Sequence, residues 1–147
     1  MVIDKQQVAR HFSKAADTYN EYAELQRNIG ETLLSYLPNK LYPLAIDLGC
    51  GTGYFSRSLK AHSSHVVALD LSLAMATKAK RYAQPCAALV SDAEHLGLAD
   101  DSVDLVFSSL ALQWCNDLAA ALKEIRRVLK PNGVLLFSTL SQGTLFE

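Results

Sequence analysis

Gly49, Gly51 and Gly53 alternate directly after the apolar run Leu44-Ala45-Ile46-Asp47-Leu48, with Cys50 and Thr52 between them. An apolar run that breaks into alternating glycines reads as a buried strand turning sharply into a helix. Glycine at such a turn permits positive φ and lets a second molecule approach bare backbone, while the helix start offers unpaired N–H groups to a ligand's polar end. A second apolar run, His65-Val66-Val67-Ala68-Leu69, ends in Asp70, about twenty residues beyond the first glycine, the spacing at which a strand-end acid meets a ribose. A carboxylate there can accept from two vicinal hydroxyls through charge-assisted hydrogen bonds. The turn and the acid together point to a nucleoside-containing cofactor.

Asp47 stands inside the first strand, where a carboxylate between Ile46 and Leu48 is costly unless hydrogen-bonded, so it reads as scaffold of the turn rather than catalyst. Leu71 and Met75, just past Asp70, could supply apolar faces to a base or simply pack the core.

These residues need strands and helices in alternation to meet at one place. Residues 4–37 read as helix, with Tyr22, Leu25, Ile29, Leu33 and Tyr36 as one apolar stripe, ended by Leu37-Pro38. Strand 43–48, helix 53–62, strand 65–70, helix 72–82 capped by Ser72, strand 86–90, a loop 91–101 and strand 103–109 follow. Helix 117–129, capped by Asn116 or Asp117 with Leu118, Leu122, Ile125 and Leu129 buried, leads through the turn Lys130-Pro131-Asn132-Gly133 into strand 133–140. Such alternation implies βαβ units and a doubly wound parallel sheet covered on both faces. Ligands bind at the carboxyl ends of such strands, and the tips Asp47–Gly53, Asp70–Ser72, Ser91–Glu94, Ser108–Ala111 and Thr139–Gln142 share one edge.

A chain of 147 residues, half of them hydrophobic, suits one domain. Fourteen basic against fifteen acidic residues give a net charge of -1, so no overall field favours a nucleic-acid or membrane partner. The first residues lack a signal peptide's apolar region and no segment approaches a membrane span, which reads as a cytoplasmic address. Cys50, Cys86 and Cys115 form no C-x-x-C pair and are expected reduced and buried, and the four histidines show no metal-ligand spacing. No metal is expected.

A dinucleotide loop wants a small residue three places after its second glycine, and Tyr54 stands there. The pattern G-x-G-x-G preceded by Asp47 instead resembles the glycine motif of S-adenosylmethionine-dependent methyltransferases. That resemblance implies a Rossmann-like class I methyltransferase sheet. It places Asp47, Gly49, Cys50 and Gly51 under the amino-acid and ribose parts of S-adenosylmethionine. It sets Asp70 on the ribose hydroxyls, Leu71 and Met75 beside the adenine, Asp92 on the adenine amine with the Ala93 N–H facing the ring, and Ser109 at the next tip. Phe12-Ser13-Lys14-Ala15-Ala16, Tyr19, Ala23 and Gln26, together with Ala68-Leu69-Asp70-Leu71-Ser72 and Leu110-Ala111-Leu112-Gln113-Trp114-Cys115, resemble more narrowly the malonyl-acyl-carrier-protein O-methyltransferases of biotin synthesis. The likeness runs from about Lys5 to Gly143.

The narrower resemblance implies transfer of a methyl group to the free carboxyl of a malonyl thioester on acyl carrier protein or coenzyme A, leaving S-adenosylhomocysteine. Because that carboxylate is ionised at neutral pH, no general base is expected, and Tyr19, Gln113 and Trp114 are expected to shape the substrate pocket. Arg10, Lys14 and Arg27 are expected to meet the acidic carrier, with Lys123, Arg126, Arg127 and Lys130 a solvated stripe. Residues 1–38 would form a helical cap and 43–147 the core. The resembling family adds two antiparallel strands, and this chain reaches Glu147 soon after its fifth, so it is expected to be C-terminally truncated and catalytically incomplete. Alternatives within reach of the same residues are methylation of a quinone precursor or other small metabolite, and a module that binds S-adenosylmethionine without activity; Tyr54 disfavours an NAD enzyme.

Overall fold

The structure, a computed structural model, describes residues 2–15 and 24–140. Its centre is a five-stranded sheet in the order β3-β2-β1-β4-β5, with β1 at Tyr42–Leu48, β2 at Ser63–Asp70, β3 at Ala87–Val90, β4 at Val103–Ser109 and β5 at Leu129–Ser138. Every pairing is parallel. The strand order reverses between β1 and β4, and that reversal leaves a crevice outside the strand ends.

Side chains alternate across the pleat. Ile46, Leu48, Leu69 and Val106 enter one core with Ile125 and Val128 of α5 (Leu118–Val128). Ala45, Val66, Leu105 and Phe107 enter the opposite core, against Leu33 and Leu34 of α2 (Glu24–Leu34) and Phe55 and Leu59 of α3 (Tyr54–Leu59). Ala79 of α4 (Leu73–Ala83) packs on Ala68 on that same side. Both faces are therefore covered, as near-continuous apolar strands require. The N-terminal helix, α1 (Lys5–Ala15), packs against α4.

Ser72 caps α4 by accepting from the Met75 N–H at 3.2 Å, and Asp117, not Asn116, caps α5 by accepting from Ala120 at 3.1 Å. Several sequence expectations are corrected. Of the helix expected over 4–37, the described residues show α1 and α2, with α2 ending at Leu34 rather than Leu37; Leu25 and Tyr36 of its stripe are 68% and 72% exposed, and Tyr22 lies outside the described residues. The helix expected over 53–62 is only the short α3, since Lys60–His62 form the turn into β2. In α5 the buried row is Ala121, Ile125 and Val128, and Leu118 is exposed: a reading that seeks large apolar residues passes over alanine, which lets a helix sit close to a sheet. Lys130-Pro131-Asn132-Gly133 lies inside β5 as an irregularity, where Val103 pairs with Leu129 but Leu105 pairs with Val134. Cys86 is exposed and Cys115 half-buried, so only Cys50 is buried as expected; all three are free. Among the described residues no helix is long and apolar enough to cross a membrane.

Candidate functional site

The three alternating glycines all have positive φ: 74° at Gly49, 55° at Gly51 and 93° at Gly53. At Gly49 a Cβ would stand 2.3 Å from the Ala111 Cβ, so the position needs glycine both for its dihedral and for the tip of β4 that closes over it. The turn is tied down by its own backbone. The Gly49 and Cys50 N–H groups donate to the Leu69 carbonyl at 2.8 and 2.9 Å, and Gly53 donates to Cys50 at 3.0 Å.

Asp70 completes the turn from the next strand. Its Oδ2 accepts from the Gly51 N–H and its Oδ1 from the Ser72 N–H, each at 2.9 Å. A carboxylate has about four lone-pair sites, so this nearly buried side chain keeps acceptor capacity for a ligand's donors. Burial raises its pKa, countered by the Ser72, Gly51 and Leu71 N–H groups.

Asp47 stands behind the turn, 2% exposed, with the Ser56 hydroxyl donating to Oδ2 at 2.6 Å. Burial pushes its carboxyl up to about 7, with Ser56 pulling it down and the Asp70 charge adding to the rise. Burial likewise pushes the Cys50 thiol well up, which leaves it a small apolar spacer rather than a nucleophile.

A cavity opens at these strand ends, the place where a parallel sheet of this order binds its ligand. Of the sequence candidates, Gly49, Asp70, Leu71, Asp92, Ala93, Ser109 and Trp114 line it. Asp47, Cys50, Gly51 and Met75 are not on its wall; Met75 is 1% exposed, in the core. Gln113 does not line it either. Its Nε2 donates to the Leu110 carbonyl at 2.7 Å, holding Leu110 at a φ of 53°, while the Leu110 N–H donates to Ser138 O at 2.9 Å. Tyr19 lies outside the described residues.

The strand tips expected at the ligand edge add Leu48, Ser91, Leu110 and Ala111 to the lining, with Leu112 and Cys115 just beyond the β4 tip, and two residues of α1 not read as site candidates, Lys5 and Val8, line it as well. Lys5 changes the reading of Asp92. Its Nζ donates to both Asp92 oxygens at 2.8 Å and to Glu94 Oε2. Burial opposes the Asp92 charge but the hydrogen bonds from Lys5 and Glu94 outweigh it, so this carboxyl sits below its ordinary range. Burial also works against the Lys5 charge, and the two carboxylates overcome it and raise its pKa. No sequence signal joins Lys5 to a loop 87 residues away; only its place on the first turn of α1 could have suggested a cation near a strand tip.

The basic residues divide as well. Arg127 is committed to Glu124, Asp100 and the carbonyls of Leu96 and Leu98, so it holds the loop before β4 rather than belonging to a solvated stripe. Arg27 lies with its guanidinium 4.8 Å from the Tyr54 ring centroid. Among the described residues no cluster of three or more His, Cys, Asp or Glu side chains could hold a metal ion.

A parallel sheet of this order, a triple-glycine turn and a strand-end acid facing a cavity at the strand ends are what a methyltransferase cofactor site requires, and residues 46–137 match the methyltransferase domain family. The chain belongs to that family. It is 44% identical over 145 residues to the malonyl-[acyl-carrier protein] O-methyltransferase of Yersinia pestis, covering 99% of this chain and 54% of that protein. To the protein of the same name from Serratia marcescens it is 46% identical, covering 99% of this chain and 57% of that one. The chain thus spans about half the length of the curated relatives it matches. Among solved structures it is similar to an S-adenosylmethionine dependent methyltransferase from Mesorhizobium loti, with a TM-score of 0.65 and 38% identity over 74% of this chain and 52% of that one.

Proposed function

We propose that the chain binds S-adenosylmethionine and serves its transfer of a methyl group to the free carboxyl of a malonyl thioester on acyl carrier protein, as in biotin biosynthesis, with malonyl-coenzyme A as a substitute substrate. The observation that carries the cofactor half is Asp70: a nearly buried carboxylate held by backbone N–H groups of the turn, with its two acceptor oxygens beside Gly49 at the cavity wall. Two vicinal hydroxyls match that acceptor pair. The substrate half rests on the relatives, which carry the malonyl name and share the sequence over nearly all of this chain.

In this reading Gly49 forms the floor, Cys50 and Gly51 shape the turn behind it, Asp47 braces that turn, and Leu71, Asp92 and Ala93 receive the base. Met75 supports Leu71 from the core, and Ser109 stands between the two ends. Trp114, 39% exposed at the cavity mouth, meets the substrate together with Tyr19. Gln113 acts through Leu110 rather than by contact. The malonyl oxygen forms the new C–O bond as the methyl–sulfur bond breaks, and no proton moves, so in-line placement and exclusion of water supply the catalysis.

Titration calorimetry with S-adenosylhomocysteine and with NAD, followed by labelled methyl transfer to malonyl-, succinyl- and acetyl-carrier protein, tests it. Binding of the first ligand alone and a base-labile methyl ester on the malonyl carrier are expected. Preference for NAD overturns the cofactor, and transfer to a quinone precursor in place of the malonyl carrier overturns the substrate.

A further inference from the structure

Lys5 opens α1, whose first turn is capped by Asp4 Oδ1 accepting from the Gln6 and Gln7 N–H groups at 3.0 and 3.2 Å. An ammonium has three donors, and all three are spent here: on Asp92 Oδ1, Asp92 Oδ2 and Glu94 Oε2. The Lys5 and Glu94 side chains are only 19% and 9% exposed. Two carboxylates so close, at the edge of a partly dry cavity, would repel each other strongly without that cation.

The cluster closes into a ring. Glu94 also accepts from the Asn116 and Asp117 N–H groups at 3.1 and 3.2 Å, and the Asn116 side chain exchanges two hydrogen bonds with the Ile3 backbone. At the far end of α1 the Ser13 and Ser72 hydroxyls lie 2.6 Å apart. The helix is therefore pinned to the tips of β2, β3 and β4 together.

Within the ring, Asp92 has little freedom. Oδ1 takes two donors, Lys5 Nζ and the Glu94 N–H at 2.9 Å, whereas Oδ2 takes Lys5 alone. With about two acceptor sites per oxygen, the side chain has one left, on Oδ2, at the cavity wall.

We propose that Lys5 is a positioning residue for base recognition: by binding Asp92 and Glu94 on one ammonium it leaves Asp92 Oδ2 as a single fixed acceptor, so the site selects a purine carrying an exocyclic amine over one carrying a carbonyl there. A carbonyl oxygen at that place would face a carboxylate with no proton between them, which is rejection by an unpaired acceptor. Freed from Lys5, Asp92 would rotate and hydrate, and the discrimination would fade. This inference rests on the nucleoside reading of the cavity.

The test measures binding of S-adenosylhomocysteine and of S-inosylhomocysteine to the chain, to Lys5→Gln and to Lys5→Arg. The unmodified chain is expected to prefer the adenosyl ligand by about tenfold or more, the size of one charge-assisted hydrogen bond. Lys5→Gln should bring that ratio below about threefold, Lys5→Arg should largely restore it, and adding Asp92→Asn to Lys5→Gln should change it little further. Loss of affinity for both ligands by one common factor in Lys5→Gln would mean that Lys5 only pins α1, and would overturn the proposal, as would an unchanged ratio. Should the unmodified chain bind both ligands equally, Asp92 does not read the amine; should it bind neither, the nucleoside reading itself fails.

Discussion

The glycine turn at 49–53 and the rim made by residues 91–95 and 109–115 face the same cavity but are held by different physics. The turn is held by short-range backbone geometry: three positive-φ glycines, bonds to Leu69, and one buried acid. The rim is half-exposed and held by charged and amide side chains, Lys5 reaching Asp92 and Glu94 from α1 and Gln113 bracing Leu110. A turn built this way tolerates almost no added atom but is indifferent to salt. The rim should behave in the opposite manner, since partly exposed ion pairs are screened.

The sharpest way to break this contrast is Gly49→Ala. The methyl would overlap Ala111 and sit at a φ of 74°, and strain of about 1–2 kcal/mol plus overpacking of about 1–3 kcal/mol should lower stability by about 2–5 kcal/mol. Gly97→Ala, with nothing within 4 Å of its Cβ, should change stability by less than about 0.5 kcal/mol. Denaturant melts of the two variants check this; equal losses would mean that the turn is soft and that its glycines are not sterically required.

That asymmetry also explains what was legible in the sequence. The turn, β4 at 103–109 and the Ser72 cap could be read because each is specified by neighbours in the chain, and Asp70 because a fixed strand-to-strand spacing places it. The Lys5 ring could not be read, since its members come from residues 3–5, 92–94 and 116–117 and meet only after the sheet has formed. Gln113 was legible as a tip residue but not as the brace of Leu110, because that role depends on a left-handed backbone that leucine seldom adopts. Ala121 was missed in α5 because hydropathy weighs size, whereas close helix–sheet packing rewards smallness.

The next effect in size is electrostatic and belongs to the turn. Burial raises the Asp47 carboxyl from 3.8 to about 7, so between those values the folded chain holds a proton that the unfolded chain has released. Stability from this group therefore falls as pH rises from about 4 to about 7, and the penalty stays in full above 7. At about 1.4 kcal/mol per unit, discounted for the coupling to Asp70, the penalty is about 2–4 kcal/mol. Asp47→Asn can still accept from Ser56 and should be more stable than the unmodified chain by that amount at pH 8, with a difference near zero at pH 4. Thermal melts across this range decide it; a difference independent of pH would show that Asp47 is ionised throughout.

Asp70 links backbone and ligand, so its removal should sit between the extremes. Asp70→Ala withdraws the acceptors of the Gly51 and Ser72 N–H groups and should weaken S-adenosylhomocysteine by about 1.5–3 kcal/mol, the range for hydrogen bonds to a charged group. Calorimetry at low and high salt should give the same loss, because this acid lies deep in the turn. A loss that vanishes with salt would move Asp70 from the turn's regime to the rim's.

The smallest effect is expected where the rim faces outward. Under the proposed function, a malonyl group presented on an acidic carrier protein calls for positive charge near the cavity, and α1 covers one side of it through Lys5 and Val8. Lys5 is consumed by its two carboxylates, Arg27 by Tyr54 and Arg127 by Glu124 and Asp100, whereas Arg10 is exposed on α1. Its sequence neighbour in this role is Lys14, one helical turn further on. Exposed pairs contribute about 0.2–1 kcal/mol each, so reversing both charges should weaken the malonyl carrier by about two- to tenfold, leave S-adenosylhomocysteine affinity unchanged, and lose most of its effect at high salt. Titration of carrier protein against the doubly reversed chain measures it. The competing surface is Arg126 and Lys123, exposed on α5, a helix that starts at the strand tips and carries its last turn away from them. If reversal there is the more damaging change, the carrier approaches from the α5 side, and the rim's charge serves only to hold α1 in place.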